Sequence, residues 1–271
     1  MTSLTPKELS FKRIQGVPDF RSISFKDKAS DFILLIPIIN EGDRLIKELR
    51  RAQNSGISKL VDIVLCDKGS TDGSVEYTRL IELGVSSMLV KKDIGGQGAQ
   101  LRMGIWWAFE KEYKGIITID GNNKDSIEDI PKFIKKLRDK YDFVQGSRFI
   151  KGGKAIRTPL LRLVATRLIH APIISLTAKF HFTDTTNAFR AYSIDYLRDS
   201  RVKPLRDCFQ TYELLAYLSV RASQLGMRVC EIPVERVYPS SGKVPTKISL
   251  FKGNFELLKI LFYNVIGKYN P

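Results

Sequence analysis

The turn Asp120-Gly121-Asn122 carries the clearest chemistry in the sequence. It follows directly on the apolar run 115–119, which is typical of a buried strand. Oxygen ligands two residues apart at a strand end can bind a hard cation such as Mg²⁺ or Mn²⁺, and such a cation would neutralise a departing diphosphate. The alternative is a polar turn that caps the next helix. These residues alone leave both interpretations open.

Three more polar or glycine-rich segments follow predicted strands, at 37–41, 67–74 and 95–98. The glycines of 67–74 allow tight turns and close approach to a ligand, and Asp67 can accept hydrogen bonds from a base or ribose. The amides of Gly95-Gly96-Gln97-Gly98 precede a helix and can hold phosphate, although this segment is neither a P-loop nor a dinucleotide fingerprint. Ordinary loops with helix caps are the alternative for each segment.

Alternating strands and helices must position these segments. The predicted elements are strands at 32–37, 61–66, 87–90 and 115–119 and helices at 42–55, 74–83 and 98–112. We expect Asp72 or Ser74 to cap the second helix. The alternation predicts an α/β fold with a mostly parallel sheet, in which ligands bind at the carboxyl ends of the strands.

The charge of the chain favours anionic partners. Its 271 residues, enough for one large domain, carry 44 Lys and Arg against 29 Asp and Glu, a net charge of +15. Nucleic acid, an anionic membrane and phosphorylated substrates all fit, but no nucleic-acid-binding motif is recognised, so we expect no nucleic-acid partner.

The odd count of three cysteines indicates a reducing compartment. We expect a cytoplasmic protein with a core thiol at Cys66, without a signal peptide or an uninterrupted spanning helix.

Several further motifs occur in a fixed order along the chain. They are Pro37-Ile38-Ile39-Asn40-Glu41, the segment 67–74, Gly98 to Gly104, Ile119-Asp120-Gly121-Asn122, Glu128-Asp129-Ile130-Pro131, Gly146-Ser147-Arg148-Phe149 with Gly152-Gly153, and 184–192. This order resembles family 2 glycosyltransferases, and the last two motifs resemble the dolichol-phosphate mannose synthase branch and its bacterial polyprenyl-phosphate relatives. The resemblance covers about residues 32–250.

The resemblance implies a GT-A fold and an inverting transfer from a nucleotide-diphospho-sugar to a lipid-linked or saccharide acceptor. The residues implied to bind the nucleotide-sugar are Pro37, Asn40, Glu41, Asp67, Lys68, Gly98, Arg102, Gly121, Arg148, Lys243 and Lys247. The implied catalytic residues are Asp120, Glu213 and Arg190. Asp120 and Asn122 would hold Mg²⁺ or Mn²⁺, Arg190 would lie near the phosphates, and Glu213 falls where the family often places its general base.

Two residues depart from the family pattern. Lys68 replaces the second acidic residue of Asp-Asp-Gly-Ser, which often recognises the base in uridine-nucleotide enzymes, so the resemblance implies no particular nucleotide. Asn122 replaces the last Asp of Asp-x-Asp, so we expect weaker metal binding, or binding completed only with nucleotide present.

Glu213 acts as the base if the acceptor is a hydroxyl, whereas a lipid phosphate needs none. A nucleotidyltransferase and a degenerate protein that binds nucleotide without turnover are the remaining alternatives.

Three segments make up the expected organisation. They are an N-terminal extension at 1–30, a GT-A catalytic domain at 31–245, and a C-terminal amphipathic helix at 246–271. Residues 159–182 and the C-terminal helix mix apolar positions with Arg and Lys, as membrane-interfacial helices do. Core packing or a homo-oligomer interface is the alternative. We expect peripheral contact with the inner face of an anionic membrane.

Overall fold

One nine-stranded sheet forms the centre of the protein. The computed structural model describes residues 6–12, 14–240 and 252–271. The strands are β1 (Lys7–Phe11), β2 (Phe20–Ser24), β3 (Phe32–Ile38), β4 (Asp62–Asp67), β5 (Val85–Lys91), β6 (Gly115–Thr118), β7 (Phe143–Ser147), β8 (Lys154–Ile156), β9 (Arg190–Ser193), β10 (Val229–Pro233) and β11 (Glu235–Val237). The sheet has the order β1-β2-β5-β4-β3-β6-β9-β7-β10, and β8 pairs with β11 in a second, two-stranded sheet.

Helices cover both faces of the sheet and bury two apolar layers. The helices are α1 (Asp43–Asn54), α2 (Ile57–Leu60), α3 (Tyr77–Glu82), α4 (Gln97–Glu110), α5 (Ile130–Arg138), α6 (Leu160–Val164), α7 (Ala171–Ala178), α8 (Ile194–Arg198), α9 (Glu213–Gln224) and α10 (Lys252–Val265). A 3₁₀ helix, Ile127–Asp129, precedes α5, and a π-helix, Ala165–His170, joins α6 to α7. One apolar layer lies under α4, α7, α9 and α10, and the other under α1, α3 and α5.

The four central strands agree with the sequence prediction. β3 pairs in parallel with β4 and β6, and β4 pairs in parallel with β5. These strands are almost completely buried, including the predicted core thiol of Cys66, and strands buried on both faces have continuous apolar runs. The prediction of a mostly parallel sheet is confirmed for this region, whereas β9 runs antiparallel between β6 and β7.

The N-terminal segment is part of the sheet and not a separate extension. β2 pairs antiparallel with β5, and β1 pairs antiparallel with β2, so residues 7–24 add two strands at one edge. Phe20 and Ile23 are completely buried. Buried and half-buried positions do not alternate regularly in β2, so the period of two that marks a strand in a sequence is missing here.

Helix α3 begins later than predicted, and its cap is a different residue. Glu76 caps the helix by accepting hydrogen bonds from two amides of the first turn at 2.8 and 2.9 Å. Asp72, which was expected to cap, instead accepts from the amide of Gly42 at 2.8 Å and from Ser74. Asp72 therefore ties the loop after β4 to the loop after β3.

Candidate active site

The carboxyl ends of β3, β4 and β6 meet at one edge of the sheet, because these strands are parallel neighbours. Gln100, on α4, cross-links two of the three ends. Its Nε2 donates to the carbonyl oxygens of Ile38 (2.8 Å) and Cys66 (2.5 Å). This cross-link fixes the spacing between the two loops that follow β3 and β4.

Those two loops are hydrogen-bonded to each other. Asn40 has left-handed backbone with a φ of 49°, which asparagine adopts more readily than most residues. Its Oδ1 accepts from the amide of Thr71 (2.8 Å), and its own amide donates to Ser70 Oγ (2.9 Å). Asp67 is buried and accepts from the amide and the hydroxyl of Ser70 at 3.0 and 2.6 Å. The fold therefore brings the predicted nucleoside-binding residues Asn40 and Asp67 together.

Pro37, Glu41 and Lys68 lie in or beside the same loops. Pro37 belongs to β3, and Glu41 forms an ion pair with Arg44 at 3.0 Å. Lys68 is exposed. Burial lowers the pKa of Lys91, and the nearby charge of Lys68 lowers it further. This corner of the site carries positive charge where the family pattern has an acidic residue.

Asp120 lies at the centre of a hydrogen-bonded cluster. Its Oδ2 accepts from Arg236 Nη2 (3.0 Å) and Asn122 Nδ2 (3.4 Å), and its Oδ1 accepts from Gln97 Nε2 (3.2 Å). Burial opposes ionisation of Asp120, but the positive charges of Arg236 and Lys124 favour it and hold the pKa below its ordinary value. The carboxylate is therefore ionised at neutral pH.

Side chains of α1 help to fix the turn Asp120-Gly121-Asn122, which we call the acidic turn. A Cβ on Gly121 would lie 2.6 Å from Ile38 Cγ2, so glycine is needed for this close approach. Asn123 has a left-handed φ of 56°, its amide donates to Glu48 (2.9 Å), and its Oδ1 accepts from Arg51 (2.9 Å). Burial raises the pKa of Glu48 well above its ordinary value. Gly121 thus lets the turn pack closely on β3, and its role in binding the nucleotide-sugar stays a prediction.

The oxygen atoms of Asp120 and Asn122 fit a hard cation. Oδ1 of Asn122 is buried, and within the described part of the chain it has no hydrogen-bond partner. A buried oxygen without a partner costs about 1–3 kcal/mol, and a divalent ion bound also by Asp120 would satisfy it. Across residues 6–12, 14–240 and 252–271, no three His, Cys, Asp or Glu side chains converge on a metal site.

Arg236, on β11, is a site residue that sequence reasoning missed. Its guanidinium forms ion pairs with both Asp120 and Asp125, and it lies 5.8 Å from the ring centroid of Tyr238. Burial raises the pKa of Asp125. Nothing in the local sequence indicates that Arg236 reaches Asp120, 116 residues away.

Cations surround Tyr238. Arg162 donates to its hydroxyl (3.1 Å), Arg157 donates to its carbonyl oxygen (2.7 Å), and Lys124 Nζ lies 5.1 Å from its ring centroid. Burial raises the pKa of Tyr238, but Arg236 and Arg162 more than offset this and lower the pKa overall. We refer to Lys124, Arg157, Arg162 and Arg236 as the basic cluster. It extends from the acidic turn to α6, which contributes Arg162.

Arg148 and Arg190, which were predicted to lie near the phosphates, bond to groups inside the fold. Arg148 donates to both carboxylate oxygens of Asp184, at 2.6 and 2.9 Å, in a completely enclosed ion pair. Arg190 donates to three backbone carbonyl oxygens at 2.5–2.8 Å. Because both guanidinium groups are buried and hydrogen-bonded inside the fold, they stabilise the segment 184–190.

Arg102 and Gly98 also contribute to packing. Arg102 is buried and donates to the carbonyl oxygen of Gly16 and to Asp207, both at 2.6 Å. A Cβ on Gly98 would lie 2.7 Å from the carbonyl oxygen of Phe209, so glycine lets the start of α4 pack against the segment before α9. Neither contact involves the acidic turn.

Glu213 begins α9 and orders its own turn. Its carboxylate accepts from the amide and the hydroxyl of Thr211, at 2.5 and 2.9 Å. Burial raises the pKa of the preceding Tyr212, and the charge of Asp120 raises it further, so the start of α9 borders the site. The other predicted residues, Lys243 and Lys247, lie outside the described residues.

An exposed apolar surface adjoins the basic cluster. The helix Leu160–Ala178 has a mean hydropathy of 1.4, and among the described helices it alone is long and apolar enough to cross a membrane, although Arg162 and Arg167 interrupt it. Four of its leucines are 69–80% exposed: Leu160, Leu161, Leu168 and Leu176. Helix α10 packs against α7 and α9 and exposes Phe255, Leu258, Phe262 and Val265, and Ile266, directly after the helix, is exposed as well. We refer to these nine side chains as the apolar surface.

The opposite side of the helix Leu160–Ala178 is attached to the domain. Thr166 bonds to Thr186 (3.2 Å), and His170 Nδ1 bonds to the hydroxyl of Thr185 (2.6 Å). Burial lowers the pKa of His170 to about 4, and the charge of Arg190 contributes. The π-helix turns these polar side chains toward the segment that Arg148 and Arg190 stabilise, so the apolar side remains exposed.

The sheet and the polar strand ends define a glycosyltransferase of the GT-A fold. The chain belongs to glycosyl transferase family 2, whose model matches residues 33–201. An undecaprenyl-phosphate mannosyltransferase from Micrococcus luteus is 27% identical over 78% of this chain and 85% of its own length. A polyprenol monophosphomannose synthase from Mycolicibacterium smegmatis is 25% identical over 74% of this chain and 76% of its own.

A solved structure supports the same fold. Glucosyl-3-phosphoglycerate synthase from Mycobacterium tuberculosis, in complex with Mn²⁺, UDP-glucose and phosphoglyceric acid, aligns with a TM-score of 0.63 over 86% of this chain and 79% of its own. The identity is 14%, so this similarity concerns the fold.

Proposed function

We propose that this chain transfers a sugar from a nucleotide-diphospho-sugar to a polyprenyl phosphate, with inversion at the anomeric carbon. The observation that carries the proposal is the position of the basic cluster between the acidic turn and the apolar surface. An acceptor with an anionic head and a hydrocarbon tail is complementary to both. The Micrococcus and Mycolicibacterium relatives are named for polyprenol acceptors, which supports the same class of acceptor here.

The donor is bound across the ends of β3, β4 and β6. Asn40 and Asp67 contact the nucleoside, and Lys68 adds positive charge on that side. Asp120 and Asn122 hold a Mg²⁺ or Mn²⁺ ion, which neutralises charge on the leaving diphosphate. The solved relative that contains Mn²⁺ and UDP-glucose supports a divalent ion and a nucleotide-sugar.

In the reaction, an oxygen of the acceptor phosphate attacks the anomeric carbon from the face opposite the nucleotide. The new C–O bond forms as the bond to the donor diphosphate breaks, and that electron pair leaves with the nucleoside diphosphate. Arg162 and Lys124 orient the acceptor phosphate for this attack. Because the attacking oxygen is already anionic, Glu213 is not required as a base, which is consistent with its hydrogen bonds to Thr211.

The apolar surface lies against the membrane that contains the acceptor. Exposed leucines and phenylalanines enter the interface, and the net charge of +15 attracts anionic lipids. The helix Leu160–Ala178 is attached to the domain through Thr166 and His170, which favours a position in the interface over a transmembrane one. This arrangement corresponds to a peripheral protein on the cytoplasmic face.

Acceptor kinetics test the role of the basic cluster. Arg162→Gln removes a charge-assisted contact of about 1.5–3 kcal/mol, so we expect KM for undecaprenyl phosphate in vesicles to rise about ten- to hundredfold. Nucleotide affinity, measured by thermal shift, should stay unchanged. The matched control is Arg221→Gln, which removes an arginine that donates to the carbonyl oxygen of Arg201.

A hydroxyl acceptor is the competing assignment. If the acceptor is a saccharide, Glu213→Gln should abolish transfer, and the wild type should glycosylate soluble saccharides but not polyprenyl phosphate. With a phosphate acceptor, Glu213→Gln should retain most of the activity. Transfer to soluble saccharides alone would therefore overturn the proposed acceptor.

A further inference from the structure

Arg236 is a built-in counter-ion of the acidic turn. It donates to Asp120 Oδ2 at 3.0 Å, while Gln97 donates to Oδ1 at 3.2 Å, so both carboxylate oxygens already accept hydrogen bonds. The arginine side chain is 7% exposed and is held from its other side by Asp125. Removing one partner from a buried ion pair of this kind is costly.

A metal ion must compete with Arg236 for Asp120. The ion needs carboxylate lone pairs, and most of those of Asp120 now accept hydrogen bonds from Arg236, Asn122 and Gln97. It also has to approach the positive charges of Arg236 and Lys124, which repel it at short range. Asn122 offers an amide oxygen without charge, so the turn contributes one carboxylate to overcome this repulsion.

A nucleoside diphosphate changes the competition between Arg236 and the metal ion for Asp120. Its phosphate oxygens are strong acceptors for a guanidinium group and also ligands for a divalent ion. Arginine has five N–H donors in a planar fork, so Arg236 can keep its contact with Asp125 while another N–H moves from Asp120 to the diphosphate. The carboxylate of Asp120 then becomes available to the ion.

We propose that Arg236 prevents Asp120 from binding a metal ion until the diphosphate of the donor is present, so that metal and nucleotide bind with positive coupling. This inference rests on the proposed function for the identity of the donor. It assigns Arg236 a role in the order of binding, in addition to its contact with the diphosphate.

Titration of the free protein with Mn²⁺ tests this role, with unbound Mn²⁺ measured by electron paramagnetic resonance. We expect folded Arg236→Gln to bind Mn²⁺ at least about fivefold more tightly than the wild type without any nucleotide. In the wild type, one of UDP, GDP, CDP and dTDP should raise Mn²⁺ affinity by about 5- to 150-fold, the usual range of coupling between sites. This enhancement should shrink in Arg236→Gln. Titrations of each nucleotide without protein correct for Mn²⁺ bound in solution.

The charge-matched control is Arg201→Gln, which breaks an ion pair with Asp199 on the surface and should leave Mn²⁺ affinity unchanged. Arg236→Gln also leaves Asp125 buried without its partner. If circular dichroism shows that this variant does not fold, the double variant Asp125→Asn/Arg236→Gln replaces it, with Asp125→Asn as its reference.

Two results would overturn the inference. One is a folded Arg236 variant that binds Mn²⁺ no more tightly than its reference. The other is a wild type whose Mn²⁺ affinity is the same with and without a nucleotide that raises its melting temperature. If none of the four nucleotides raises the melting temperature, the proposed function fails instead, while the comparison without nucleotide still tests Arg236.

Discussion

The proposed nucleoside side of the site, with Asn40, Asp67 and Ser70, and its proposed phosphate side, with Asp120 and Arg236, are held together by different forces. On the nucleoside side, Asn40 and Asp67 are joined through Ser70 by hydrogen bonds between two loops about 30 residues apart. On the phosphate side, Asp120 is held by a charge 116 residues away, on Arg236. The first side is a fixed surface that loop chemistry determines. The phosphate side forms only when the whole domain is folded, and we expect the charge of a ligand to rearrange its ion pairs.

Breaking the buried ion pair between Arg148 and Asp184 should have the largest effect, on the stability of the fold. Arg148→Met leaves the carboxylate of Asp184 buried without its ionic partner, so we expect a loss of about 3–5 kcal/mol in the free energy of unfolding, measured with urea. The surface variant Arg201→Gln should lose about 1 kcal/mol or less. If Arg148→Met lost equally little stability but much of its nucleotide affinity, the phosphate contact predicted for Arg148 would be supported instead.

The acidic turn should be the most sensitive point for catalysis. Asp120→Asn removes the ionised ligand of the proposed metal site, so we expect kcat to fall about 10²- to 10³-fold, as for other lost charge-stabilising groups. Circular dichroism should be unchanged. Asp207→Asn, which removes the exposed partner of Arg102, is the control. Full activity of Asp120→Asn at saturating donor would exclude a role in the transfer.

The sequence predicts the nucleoside side better than the phosphate side for a physical reason. β3, β4 and β6 are recognisable because burial on both faces requires continuous apolar runs, and Asp67, the last residue of β4, therefore lies at the predicted sheet edge. On the phosphate side the same reasoning places Asp120 but not its partner. Arg236 could not be placed, since its partners are 111 and 116 residues away.

Burial in the folded chain also determines what a residue contacts where its motif alone does not. Arg148 and Arg190 occupy the positions that the family pattern predicts, but only the folded chain reveals that they bond to Asp184 and to backbone carbonyl oxygens. The cap of α3 was expected at Asp72 or Ser74 but is Glu76, for a similar reason. Asp72 is drawn to the amide of Gly42, a contact between loops that local sequence does not encode.

The attachment of the apolar helix should depend on pH. Burial lowers the pKa of His170 to about 4, below the value of about 6.5 in an unfolded chain. The unfolded chain therefore takes up a proton first as pH falls, so stability is full above pH 6.5 and declines toward pH 4. Since the side chain is only half-buried, the slope should stay below about 1.4 kcal/mol per pH unit.

Urea unfolding at pH 7 and pH 5 measures this slope. We expect His170→Gln to lose less stability than the wild type over this interval, whereas His181→Gln, which changes an exposed histidine, should behave like the wild type. Equal slopes in the wild type and His170→Gln would show that His170 does not report on the attachment.

The smallest effect should come from the nucleoside side. Asn40→Ala removes one hydrogen bond between the loops and leaves alanine at a left-handed φ. We expect a cost of about 1 kcal/mol, or about fivefold weaker nucleotide binding by calorimetry, with kcat nearly unchanged. Ser55→Ala, at the end of α1, is the control. A large fall in kcat with unchanged affinity would contradict the separation of the two sides.

The ³¹P NMR spectrum of the acceptor tests the central claim most directly. The protein is incubated with vesicles that contain undecaprenyl phosphate, with Mn²⁺ and with the nucleotide-sugar that raises its melting temperature. A phosphate acceptor predicts that the monoester signal is replaced by that of a phosphodiester, as the sugar joins the phosphate oxygen. An unchanged monoester signal, with the donor consumed and the sugar found on a saccharide hydroxyl, would contradict it.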